Sequence, residues 1–143
     1  MPNALYDPFK QSLLAGDTNL DLDTNTVADG VYAALIDTGA GGYTFSAAHQ
    51  FYSQLSGVIG TDQRIANPTV TNGVFNGDDV TFPSVTGNNA EAIVLYRRNA
   101  GANTTWRLIA FIDSNVTGLP VLPNGGNITV TWNNNAPAGI FSL

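Results

Sequence analysis

One histidine, one glutamate and ten aspartates are the titratable side chains that could carry acid–base or metal chemistry in this 143-residue chain, which has no cysteine. His49 has Ser46 and Ser53 at helical distances. Nucleophilic catalysis needs a base and a nucleophile held in contact, with a third group orienting the base. That spacing is common by chance, and no Gly-x-Ser-x-Gly elbow is present, so His49 reads as a surface or amphipathic histidine. Asp17, Asn19, Asp21 and Asp23 alternate like the start of a calcium loop. Leu22 stands where that loop needs glycine and Ala28 where it needs glutamate, so the motif fails. Asp78 and Asp79 beside Asn76 could ligate a cation, but Asp and Asn are ordinary turn residues there. The single Glu91 sits in a strand pattern and marks no glycosidase pair. Asn103, Asn115 and Asn127 each begin an Asn-x-Thr triplet, as an Asn- and Thr-rich chain does by chance. The glycines of residues 39–42 lack the lysine of a phosphate loop. No metal, no cofactor and no enzymatic activity is expected.

Composition narrows the remaining classes. Charged residues make up 11% of the chain, less than half the usual share of about 25%. Thr, Asn and Gly fill the place of surface charge, which favours β structure with many turns. Low charge also suits a surface covered by neighbours. The net charge of −6 counts against nucleic-acid binding, which needs a cationic footprint. No apolar run approaches the roughly 20 residues of a membrane span. The first residues have neither a basic nor an apolar signal region, so no signal peptide is expected.

The elements that must position these groups follow from periodicity and punctuation. Leu5, Phe9, Leu13 and Leu14 predict a short helix over residues 5–14, stopped by Gly16. Either Asn3 or Asp7 could cap it; only the second welcomes Pro8 in the first turn. Residues 19–22 alternate like a short edge strand. Residues 30–37 are apolar on both faces and predict a buried strand. Ser46 predicts the N-cap of a second short helix running to about Leu55. Asn72-Gly73 predicts a type I′ hairpin. Val80-Thr81-Phe82 predicts a strand that Pro83 ends or confines to an edge. Residues 90–98 and 104–113 predict a central hairpin around a five-residue loop, with Tyr96 opposite Trp106, Val94 opposite Leu108 and Ala92 opposite Ala110. Asn124-Gly125-Gly126 is a turn. Ile128, Val130 and Trp132 then face one way and Asn127, Thr129, Thr131 and Asn133 the other. Asn133-Asn134-Asn135 turns the chain again before a last strand over residues 140–143. The sum is one domain over residues 1–143, mainly β: an antiparallel sandwich or jelly-roll-like barrel with one or two short helices.

The central hairpin is apolar on both sides, with Arg97, Arg98 and Arg107 near its loop end. Either other elements cover its second face, or that face is a partner-binding surface with the arginines as a basic patch.

Several phrases in order carry a resemblance: the N-terminal helix ending at Gly16, Leu35-Ile36-Asp37-Thr38, Asp78-Asp79-Val80-Thr81-Phe82, Ala90-Glu91-Ala92-Ile93-Val94-Leu95-Tyr96, Arg107-Leu108-Ile109-Ala110-Phe111-Ile112-Asp113, Gly118-Leu119-Pro120, Pro123-Asn124-Gly125-Gly126-Asn127-Ile128-Thr129-Val130 and Ile140-Phe141-Ser142-Leu143. As a set they resemble small tailed-phage virion structural proteins, similar to capsid decoration or cement proteins. The resemblance covers most of the chain, with residues 39–68 the least similar. It implies a virion location, assembly in the bacterial host cytoplasm, no catalysis, and binding to the major capsid protein lattice. Self-association as a dimer or trimer is expected, with residues 2–9 (through Phe9) and 140–143 (through Phe141) packing between copies. The alternatives are a tail- or fibre-associated structural protein and, from a different class, a carbohydrate-binding sandwich using Trp106 or Trp132 as stacking platforms.

Overall fold

A computed structural model describes residues 3–133 and 139–143. The chain is mainly β, as its composition predicts. Its strands are β1 (Ala4–Leu5), β2 (Gly30–Ile36), β3 (Val58–Arg64), β4 (Thr69–Thr71), β5 (Val74–Asn76), β6 (Val80–Phe82), β7 (Ala92–Arg98), β8 (Arg107–Ile112), β9 (Val116–Thr117), β10 (Ile128–Trp132) and β11 (Phe141–Ser142). They form three antiparallel sheets in the orders β1-β8-β7-β2-β3, β6-β10-β9 and β11-β5-β4.

The central strand of the large sheet is β7, flanked by β8 and β2. All seven residues of β2 are buried, which is why its sequence shows no polar alternation. One buried cluster joins this sheet to Phe75 of β5, to Val80 and Phe82 of β6, and to Ile128, Val130 and Trp132 of β10. The alternation of β10 is thus realised with its apolar side inward. The expected edge position of the strand before Pro83 also holds, since β6 is the outer strand of its sheet.

Helix α1 (Asp7–Ala15) packs on β8, and its Phe9 is fully buried. Tyr6, in extended conformation, is the N-cap, with Pro8 in the first turn; neither Asn3 nor Asp7 caps the helix. Gly16 ends it at φ 72°, and Gly16 N–H and Asp17 N–H donate to the Leu13 and Ser12 carbonyls. That is a Schellman end, which only a left-handed residue closes cheaply. Leu5 lies in β1 rather than the helix, and Leu14 is 92% exposed, so the apolar stripe is narrower than its spacing suggests.

Three further expectations are corrected. Residues 19–22 form no strand: Asn19 has φ 60°, and the Asp21 carbonyl that a ladder would use accepts from Arg97 Nε at 3.0 Å. Ser46 starts no helix. Its hydroxyl accepts from Ala48 N–H and its carbonyl from His49 N–H, after which the chain runs along β8, with Leu108 N–H donating to Gln50 O and Tyr52 N–H to Trp106 O. The one helical turn there is a 3-10 turn, Tyr52–Gln54.

The central hairpin forms, but in another register. Arg97 pairs with Arg107, Tyr96 with Leu108 and Leu95 with Ala110, with a bulge between Leu95 and Tyr96. The loop is longer than five residues because Asn103–Thr105 adds a 3-10 turn. Trp106 leaves the ladder and lies flat on Tyr96 instead, centroids 5.8 Å apart and planes at 9°.

The Asn72-Gly73 turn has φ 52° and 77°, the two positive values a type I′ hairpin requires. The Asn134-Asn135 part of the last predicted turn lies outside the described residues.

Candidate interaction surface

The three arginines of the expected basic patch are positioned by the ends of β7 and β8, and each meets a different environment. Arg97 is 2% exposed. Its Nη2 lies 2.9 Å from Asp21 Oδ1 and its Nη1 3.6 Å from Asp29 Oδ1. Its guanidinium also donates to the Arg98 carbonyl. A guanidinium out of water needs that many acceptors. Arg97 is therefore an internal clamp on the connection between α1 and β2 and belongs to no exposed patch. Asp21 is held below the ordinary aspartate range, first by the Thr24 hydroxyl and then by Arg97.

Arg98 sits over two rings, 4.6 Å from the Trp106 centroid and 5.2 Å from that of Tyr32. Arg107 lies 5.1 Å over Phe51 and 3.9 Å from Asp17. Both are partly buried. The arginines thus spend much of their binding capacity within the chain, through charge pairing and cation–π contact.

Phe9 is a core residue, edge-on to Phe141 at 6.3 Å. Phe141 is half-buried and packs on Phe75 at 5.3 Å. Both ends of the chain are engaged in its own fold: β1 pairs with β8 and β11 with β5. The Asn3 carboxamide oxygen accepts from the Asp113 and Ser114 N–H groups.

A second cluster escapes sequence reasoning. Asp62 of β3 accepts from the Tyr96 hydroxyl at 2.7 Å, and Tyr52 packs on Tyr96 at 4.6 Å and on Trp106 at 5.4 Å. Burial raises the Asp62 carboxyl above the usual aspartate range, against the lowering contributions of both tyrosines and Arg98. Burial and this carboxylate raise Tyr52 and Tyr96 strongly. Asp62 Oδ1 and Arg98 Nε are buried with no hydrogen-bond partner.

The groups singled out for chemistry are accounted for locally. His49 Nδ1 is 2.7 Å from the Tyr43 hydroxyl, itself 3.0 Å from that of Tyr6; neither Ser46 nor Ser53 is bonded to the ring. Asp78 accepts from Asn67 Nδ2 and Asp79 from the Trp132 N–H. Among the described residues no three His or acidic side chains come together in a way that could hold a metal, and no helix is long and apolar enough to cross a membrane.

What remains open is an edge. All three residues of β4 are exposed. The two-residue turn closes on the Thr71–Val74 pair, so the backbone groups of Val70, one residue on, point away from β5. The Phe75 carbonyl, opposite Val70, correspondingly faces the other way and accepts from Ile140 N–H. Val70 is 51% exposed, and Leu143, whose N–H donates to Gly73 O, is 71% exposed. No charged residue lies within 69–76. Leu14, Val27 and Leu122 are the other strongly exposed apolar side chains.

No family model matches the chain, and no curated protein matches it.

Proposed function

We propose that this protein is a non-enzymatic structural component of a tailed-phage particle, a decoration protein that binds and stabilises the assembled major capsid protein lattice. The virion assignment rests on the ordered phrases described above. The observation that supports a binding role is the uncharged, exposed β4 edge. Monomeric proteins blunt such edges by keeping them short, charging them or covering them; β4 is short but carries no charge. This one presents the Val70 N–H and C=O to a partner strand.

In this reading the edge takes a second copy of the chain. Thr69-Val70-Thr71 reads the same in both directions, so an antiparallel partner sets Val70 against Val70 and Thr69 against Thr71, and Thr–Thr cross-strand pairs are favourable. Leu14, Val27 and Leu122 are left for the shell. A protein that binds only the assembled lattice stabilises it by mass action.

The carbohydrate-binding alternative needs an open indole face. Trp132 is 4% exposed, and Trp106 is stacked on Tyr96 with Arg98 over its ring, so neither favours it.

The experiment is co-sedimentation of the purified protein with expanded capsids, with unexpanded proheads and with isolated tails. Binding to expanded capsids alone is the expected result. Binding to tails alone moves the function to the tail-associated alternative, and binding to none removes the virion reading.

A further inference from the structure

The chain contains three Asn-Gly dipeptides: Asn72-Gly73, Asn76-Gly77 and Asn124-Gly125. This is the pair most prone to spontaneous deamidation, because a following glycine has no Cβ to obstruct the approach of its own nitrogen to the asparagine side chain. The fold treats the three pairs differently.

Asn124 is locked. Its Oδ1 accepts from Gly126 N–H at 3.0 Å, and the Gly125 nitrogen that would attack donates to the Val85 carbonyl at 2.7 Å. Asn76 is enclosed. Its Oδ1 has almost no solvent contact, and the chain after it is tightly packed, since a Cβ on Gly77 would fall 2.3 Å from Ile65 Cγ2. Asn72 is exposed at the tip of the β4–β5 hairpin. Its carboxamide has no hydrogen-bond partner among the described residues, and Gly73 has open space around it apart from ordinary contact with Leu143 O.

We propose that Asn72 is a modification site of the folded protein, the place where it converts asparagine to aspartate or isoaspartate in preference to Asn76 and Asn124. The Gly73 nitrogen attacks Asn72 Cγ and loses its proton, and the side-chain nitrogen leaves as ammonia. Water then opens the resulting succinimide at either carbonyl. Hydrolysis at the former side-chain carbonyl leaves isoaspartate's alternative, ordinary Asp-Gly, which keeps the hairpin's turn chemistry. Hydrolysis at the main-chain carbonyl leaves isoaspartate, whose extra backbone methylene does not fit a two-residue turn. Either product puts a carboxylate two residues from Val70, on an edge that otherwise has no charge. The assignment is independent of the virion reading.

The test is peptide mapping by mass spectrometry of the folded protein incubated at mildly alkaline pH, beside the same protein unfolded in urea. Two hydrogen bonds must open before Asn124 can react, so in the folded protein Asn72 is expected to convert about thirtyfold faster than Asn124. In urea the two rates should converge. Equal rates in the folded protein, faster conversion at Asn124 or Asn76, or no conversion at Asn72 while the unfolded chain reacts would each overturn the assignment.

Discussion

Arg97 Nη2 lies 2.9 Å from Asp21 Oδ1, and Arg97 Nε lies 3.0 Å from the carbonyl oxygen of the same aspartate. This bidentate grip joins β7 to a connection 76 residues earlier. The arginine is buried, while the aspartate side chain is half exposed.

The two ends of that grip should therefore respond unequally. Arg97→Met removes several charge-assisted bonds and leaves the Asp21 and Arg98 carbonyls and the Asp21 and Asp29 carboxylates without their shared donor; it should cost about 2–3 kcal/mol. Asp21→Asn leaves Arg97 with the Asp21 and Arg98 carbonyls and Asp29, and should cost about 1 kcal/mol. Urea denaturation of both single variants and the double variant measures the coupling. Two single variants within about 0.5 kcal/mol of the parent would show that the grip is incidental.

Asp62 gives the pH dependence a sign. Its carboxyl is raised above the ordinary aspartate value of 3.8 by burial, so the folded chain holds that proton more tightly than the unfolded chain. Its ionisation costs stability above the folded value. That cost disappears as the pH falls through the folded value toward 3.8. Asp62→Asn, which still accepts from Tyr96, should raise stability at neutral pH and flatten the stability profile across that interval. Denaturant midpoints measured from pH 4 to pH 7 provide the check; a variant less stable than the parent at neutral pH contradicts the reading.

Local punctuation was legible where one residue determines one conformation. Gly16 at the helix end, Asn72-Gly73 at the hairpin and the alternation of β10 needed no tertiary information. The apolar run of β2 was equally plain, because both its faces are covered. What could not be read depends on distant partners. Nothing near Arg97 indicates that Asp21 will come to meet it, so an arginine beside a loop read as exposed. The 3-10 turn in the hairpin loop and the bulge at Leu95/Tyr96 leave no mark in the strand composition; the first shifts the register next to the loop and the second shifts it further from Leu95 onward. Ser46 has the chemistry of a helix cap, but β8 takes the following backbone as an edge partner.

Phe9 separates the core from an interface role. It is fully buried against Phe141 within one chain, so Phe9→Ala should lower the stability of the isolated protein by about 3–5 kcal/mol. Phe141→Ala, at a half-buried position, should cost clearly less. A thermal scan in dilute solution decides. An unchanged midpoint for Phe9→Ala would return that residue to the surface that the sequence first suggested.

Val70→Lys addresses the edge. The position is exposed and its side chain packs little, so the substitution should change the stability of the monomer by no more than about 0.5 kcal/mol. In a pair of copies, however, two lysines would face each other across the twofold, and like charges directly opposite destabilise a ladder. Sedimentation equilibrium should find the parent self-associating and the variant monomeric. Capsid binding should weaken with it, because two linked copies bind a lattice with an avidity that one copy lacks. Because the chain has no cysteine, Val70→Cys offers a positive control: oxidation should trap a dimer through that single thiol, since Cα atoms about 5.5 Å apart in a hydrogen-bonded antiparallel pair suit a disulfide. A parent that stays monomeric at all concentrations, together with a Val70→Cys variant that does not cross-link, would remove self-pairing from β4 and leave the edge to a strand of the shell protein.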